Sequence, residues 1–144
     1  MKTHSVTLQQ HIDAPPTNVA AFISDFRNAQ QWMVGVEEIE ELGDDTFKLI
    51  LESPVGKLEP SARVVEQGNG RVRWVYTSTL DGGGSVEVHP SSSGSVVHYT
   101  GEFRLKSGLV DRLARAVGLE RFAHRNGERS LQRLKYLLEA HRRD

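Results

Sequence analysis

The sequence predicts an α+β fold in which a curved antiparallel sheet of about six to seven strands wraps around one long C-terminal α-helix. Three observations carry this reading. An alternating run at Val6–Ile12 leads through Asp13-Ala14-Pro15-Pro16 into two short helical stretches. A series of alternating segments punctuated by Gly, Asn and Asp turns then extends to Leu105. A single long amphipathic segment, from about Leu109 to His141, ends the chain. No other helix in the sequence is long enough to cover its apolar face, so it must lie across the sheet. A sheet that grips a helix tends to enclose a pocket.

Each element has its own signal. Val6, Leu8, Gln10 and Ile12 alternate with Thr7, Gln9 and His11, the pattern of a half-buried strand. Pro15-Pro16 stops it, because proline cannot donate to a ladder but suits a helix's first turn. Val19, Ala20, Phe22 and Ile23 form a short helical stripe, and Asn28–Met33 reads as a second helix ended by Gly35. Strands are expected at Val36–Leu42, Phe47–Glu52, Lys57–Gln67, Arg71–Leu80, Ser85–His89 and Ser95–Leu105. The turns between them include Gly68-Asn69-Gly70 and Asp81-Gly82-Gly83-Gly84. Hairpin after hairpin means an antiparallel meander.

In the last segment Leu109, Leu113, Ala116, Ala123, Gly127, Leu131, Leu134 and Leu138 share one helical sector, with Arg115, Arg125, Arg129, Arg133 and Tyr136 opposite. Glu120 falls inside the apolar sector and Phe122 outside it. A break at Gly118 would resolve the conflict by turning Leu119, Phe122 and Asn126 inward and Glu120 outward.

Composition narrows the classes of function. The chain has 144 residues, 38% hydrophobic and 26% charged, ordinary for one globular domain spanning 1–144. No apolar run approaches the roughly 18 residues of a membrane span. The polar alternation at the N-terminus predicts no export leader and a cytoplasmic protein. Without cysteine, thiolate catalysis, disulfides and cysteine-ligated metal centres are excluded. The six histidines show no metal-ligand spacing, and neither a metal nor another cofactor is expected. The glycine run at 82–84 opens no helix, so it is not a phosphate cradle.

The net charge of −1 conceals an asymmetry: residues 1–108 hold 9 Lys/Arg and 14 Asp/Glu, whereas residues 109–144 hold 9 and 5. Arg121, Arg125, Arg129 and Arg133 recur every four residues and form one helical stripe. Its plain reading is a solvated face. The sharper reading is an anion-facing surface for RNA, a ribosome-like body, acidic lipid or a partner protein, with no DNA binding expected.

The order strand, two short helices, about six strands, long helix resembles the START-like superfamily, also called SRPBCC. That superfamily includes polyketide cyclase/dehydrase-like, birch-pollen-allergen-like and coenzyme-Q-binding proteins. The resemblance rests on Ile12-Asp13-Ala14-Pro15-Pro16, Ser24-Asp25 through Trp32-Met33-Val34-Gly35-Val36, Tyr99-Thr100-Gly101-Glu102-Phe103 and Arg129-Ser130-Leu131-Gln132-Arg133-Leu134-Lys135. It covers essentially the whole chain. It implies a helix-grip fold with a cavity between sheet and helix, and a hydrophobic small molecule (lipid, quinone or polyketide) as ligand.

The aromatic strand residues Trp74, Tyr76, Tyr99 and Phe103 supply apolar area with hydrogen-bonding tips, as a small-molecule pocket requires. Trp32 matches a family position near the cavity mouth. Val88, Leu113, Phe122 and Asn126 complete the expected lining. Binding without transformation is the leading expectation. The alternative is a cyclase/dehydratase in which Tyr76, Tyr99, Asn126 or Glu120 guides proton transfer. Glu120, as a carboxylate on a buried helix face, is the candidate acid or base.

Overall fold

The computed structural model describes residues 4–142, apart from the side chains at 115, 116, 141 and 142. The placements expected for Arg115, Ala116 and His141 therefore lie outside the described residues. Strand β1 (His4–Ile12) is followed by α1 (Pro16–Ser24), a 3-10 turn (Phe26–Asn28) and α2 (Ala29–Trp32). Six strands come next: β2 (Val36–Gly43), β3 (Thr46–Leu51), β4 (Ser61–Gly68), β5 (Arg71–Tyr76), β6 (Leu80–Ser91) and β7 (Gly94–Leu105). Helices α3 (Gly108–Ala116) and α4 (Leu119–Arg142) complete the chain.

The seven strands form one sheet in the order β1-β7-β6-β5-β4-β3-β2, with every ladder antiparallel. This is the expected helix-grip α+β architecture. The free edge at β2 carries Glu37, Glu38, Glu40 and Glu41, all exposed. Charge on an edge strand discourages pairing with another chain. Pro16 opens α1 at its first turn, and the Asp25 carboxylate accepts from Arg27 N at 3.1 Å, starting the 3-10 turn.

One turn is displaced from its expected place. The chain reverses at 77–79, where Thr79 takes φ 69° and Leu80 N donates to Ser78 O at 2.7 Å. Asp81-Gly82-Gly83-Gly84 runs inside β6 instead. These glycines answer a steric demand rather than a turn. A Cβ at Gly84 would stand 2.4 Å from Trp74 Cζ2, and one at Gly83 would stand 2.2 Å from the Trp74 carbonyl oxygen. The bare backbone lets the indole lie flat across the neighbouring strand.

Helix α4 crosses the concave face of the sheet. Leu131 and Leu134 are 1% and 0% exposed, and they share a core with Val19, Trp32, Val72 and Val97. Close approach to β1 depends on Gly127, where a Cβ would meet Leu8 Cδ1 at 2.7 Å. The C-terminal segment is broken at Gly118, which takes φ 79°, as the phase conflict between Glu120 and Phe122 predicts, so the long helical segment is two helices. Glycine holds that angle without the Cβ clash other residues incur. Beyond it Leu119 is buried and Phe122 faces the sheet, while the Glu120 side chain is 53% exposed.

Before the break the outcome differs from the expectation. Leu109 and Leu113 point to solvent, at 78% and 58% exposure. The inward face of α3 is built on Ala114 and on Asp111, which is 0% exposed. The Asp111 carboxylate accepts from Leu105 N at 3.2 Å and meets His4 Nε2 at 3.2 Å, so it ties α3 to β7 and β1. His4 in turn stacks on Phe103 with 5.1 Å between ring centroids.

Candidate functional site: a cavity beneath helix α4

A cavity of about 150 Å³ lies between the inner face of the sheet and the first half of α4. Strand register explains its floor. Trp74 pairs with Gly84, and Gly84 with Gly101, so two positions beside the indole carry no side chain. Tyr99 leans over Gly101, where a Cβ would stand 3.4 Å from its hydroxyl. The floor is thus Trp74, Tyr76, Tyr99 and Phe103, and α4 closes it with Phe122 and Asn126. The rim is formed by residues 33–36 together with Glu52 and Ser53.

Polar groups on the cavity floor are few and neutral. Burial pushes the Tyr99 phenol far above its ordinary range, and the neighbouring Tyr76 adds to the shift. Burial also raises Tyr76, opposed by the Trp74 N–H. That N–H is buried and makes no full hydrogen bond. Both tyrosines retain partial surface exposure because they border the cavity, yet protein surrounds them and holds them out of bulk water. A phenol so placed donates hydrogen bonds and does not act as a base.

The one carboxylate on the lining is Glu52, exposed at the rim. A hydrogen bond shared with Glu37 raises Glu52, with Glu37's charge adding to it, and the same bond lowers Glu37. Lys57 Nζ, 3.2 Å from Glu37, anchors the charged partner. Of the two carboxylates, Glu52 is therefore the first to take up a proton as pH falls.

Ser130 organises the rim. Its hydroxyl donates to Asn126 O at 2.6 Å and accepts from Val34 N at 2.8 Å, so it fastens the loop after α2 to the helix. Asn126 Nδ2 packs on this loop, 2.9 Å from where a Gly35 Cβ would stand.

Of the residues expected to line a ligand site, Trp74, Tyr76, Tyr99, Phe103, Phe122 and Asn126 meet at the cavity. Three do not. Trp32 is 2% exposed and packs in the core behind the rim, because α2 turns it inward. Val88 packs against the core near the far end of β6, beside Gly70. Leu113 lies on the outer face of α3. Glu120 is also outside the cavity: its carboxylate lies 3.9 Å from His4 Nδ1 at the surface. The sequence reading missed the rim loop, Glu52 and Ser130. Ser130 carried a usable signal, a polar residue four positions from both Asn126 and Leu134.

Among the described residues there is no cluster of metal-ligating side chains, and no helix is long and apolar enough to cross a membrane. Arg121, Arg125, Arg129 and Arg133 are exposed on α4, and none forms an ion pair with a described residue.

Comparison with known proteins agrees with this geometry. No curated protein matches the chain in sequence. The Zhui aromatase/cyclase from a Streptomyces species superposes with a TM-score of 0.78 at 15% identity, covering 96% of this chain and 94% of that one. A protein from Thermus thermophilus superposes with a TM-score of 0.77 at 19% identity, covering 94% and 97%. A START superfamily protein from Mycobacterium smegmatis gives 0.68 at 13% identity, covering 96% and 97%. These likenesses establish a shared fold. The family model described as polyketide cyclase / dehydrase and lipid transport matches residues 3–139, and the chain belongs to that family.

Proposed function

We propose that this protein binds an uncharged, largely apolar small molecule in the cavity beneath α4 and holds it without transforming it. The observation that carries the reading is the chemistry of the lining. The apolar floor is interrupted by the Trp74 N–H and the Tyr76 and Tyr99 hydroxyls, all neutral and all able to donate, the Asn126 amide above it is neutral too, and the one carboxylate, Glu52, stands at the rim. No described cation faces the cavity to pair with an anionic ligand. Burying an unpaired carboxylate there would cost several kcal/mol. A neutral ligand with an acceptor oxygen meets the donors and incurs no such cost. A cavity of about 150 Å³ suits one or two rings, with longer ligands extending through the rim.

Family membership supports a second reading, a cyclase or dehydratase. The lining argues for holding over turnover, because the acid-base candidate Glu120 stands outside and the phenols resist ionisation. RNA or ribosome contact through the arginine stripe rests on those side chains being exposed and unpaired, a weaker ground than a formed cavity.

The test is a tryptophan-fluorescence titration with 2-naphthol and with its anionic counterpart 2-naphthoate. Neutral naphthol is expected to bind at least about tenfold more tightly, a difference of about 1.4 kcal/mol. Equal or tighter binding of naphthoate, or no binding of either below about millimolar, rejects the proposal. Native mass spectrometry of protein purified from its own host would then identify the resident molecule.

A further inference from the structure

The outer face of α3 has no role in the cavity and no partner among the described residues. Leu109, Leu113 and Val117 recur every four residues, so they lie on one side of the helix and the turn after it. They are 78%, 58% and 50% exposed, and Val110 beside them is 36% exposed. Leucine at these positions gains nothing for the fold. Together they present roughly 300–400 Å² of apolar surface, at the level where a patch marks an interaction site.

The surroundings of the patch indicate what it fits. The segment 106–125 holds Lys106, Arg112, Arg115, Arg121 and Arg125 against Asp111 and Glu120. Asp111 is wholly buried, so no acidic side chain of α3 faces outward. Lys106, Arg112 and Arg121 are exposed. An apolar helix face flanked by cations is complementary to an anionic lipid surface, where leucines enter the acyl boundary and the cations meet phosphates.

A second copy of the chain is a poorer occupant, since a stable dimer buries roughly 800 Å² per partner. Nucleic acid is poorer still, because α3 offers no aromatic platform for bases. We propose that the outer face of α3 is a membrane-docking surface that seats in the headgroup region of an anionic bilayer. It stands independently of the ligand reading. Its position gives it a further use, because Ala114 and Leu119 share a cluster with the cavity residues Phe103 and Phe122. Docking through α3 would set that end of the cavity against the bilayer.

The experiment is flotation of the purified full chain with vesicles of phosphatidylcholine alone and of phosphatidylcholine with phosphatidylglycerol. Wild-type protein is expected to float with the mixed vesicles, roughly tenfold less with the neutral ones, and less as salt rises. The double variant Leu109→Ser/Leu113→Ser is expected to lower binding about tenfold with an unchanged unfolding midpoint, both residues being at the surface. As an independent readout, the emission of a Leu113→Trp variant should shift to the blue on anionic vesicles only. Absence of vesicle binding overturns the proposal, as does full binding by the double variant. Two further results also overturn it: a wild-type dimer that the double variant abolishes, or retained RNA lost in Arg125→Glu/Arg129→Glu with no vesicle binding.

Discussion

Helices α3 and α4 use the same residue, leucine, in opposite ways. In α4 Leu131 and Leu134 are almost wholly buried against the sheet, whereas in α3 Leu109 and Leu113 stand in water. Periodicity alone cannot separate the two cases, because both helices carry a clean apolar stripe. Two local features decide. Gly118 takes a left-handed angle and resets the helical phase. Asp111 takes the inward position of α3, where its Oδ1 accepts from the Leu105 N–H and lies 3.2 Å from His4 Nε2. A stripe on a helix therefore shows that an apolar face exists, while its direction depends on what anchors the opposite face.

The largest expected contrast is between the two leucines themselves. Leu134→Ala in α4 should destabilise by about 2–5 kcal/mol through lost burial and the cavity left behind. Leu113→Ala in α3 should change stability by less than about 0.5 kcal/mol. Urea unfolding of the two variants measures both, and comparable losses would mean that the α3 stripe is buried.

Gly118→Ala probes the phase reset. Nothing lies within 4 Å of a Cβ there, so contacts cost nothing and only the positive φ does. A loss of about 1–2 kcal/mol is expected. No loss in the same urea series would show that the left-handed joint is dispensable.

The cavity floor predicts a pH effect with a defined sign. Tyr76 and Tyr99 have folded-state pKa values raised above the ordinary phenol value of 10.0, so their contribution is fully present below that pH. It is lost as pH climbs above it, because the unfolded chain releases phenolic protons that the fold retains. Stability of the wild type should therefore fall more steeply above about pH 10 than that of Tyr76→Phe/Tyr99→Phe. Equal slopes in alkaline unfolding curves would place the phenols in contact with water.

Glu120→Gln should have the smallest effect. Half-exposed and outside the cavity, Glu120 should change naphthol affinity by less than about twofold and stability by less than about 0.5 kcal/mol. A larger loss of affinity would return it to the ligand site.

Most of the fold could be read from the residues. Alternation marked the strands, Pro15-Pro16 the first helix, and the conflict between Glu120 and Phe122 the break at Gly118. The aromatic floor was legible for the same reason, since Trp74, Tyr76, Tyr99 and Phe103 follow the period of two that selects the inner face. What stayed hidden depended on contacts distant in sequence. The role of Gly83 and Gly84 is set by the Trp74 side chain and carbonyl on the adjacent strand, so the run read as a turn. Ser130 gains its function from Val34 N, 96 positions away. The outward turn of Leu113 required knowing that Asp111 reaches Leu105 and His4.

The proposed function puts the small molecule on the inner face beneath α4 and none on the outer face of α3. Its most direct test is a two-dimensional NMR titration of labelled protein with 2-naphthol. Shifts are expected to concentrate at Trp74, Tyr76, Tyr99, Phe122 and Asn126, with the Trp74 indole N–H among the largest and Leu109 and Leu113 unmoved. Shifts confined to α3, or spread over the surface with Trp74 unchanged, would contradict it.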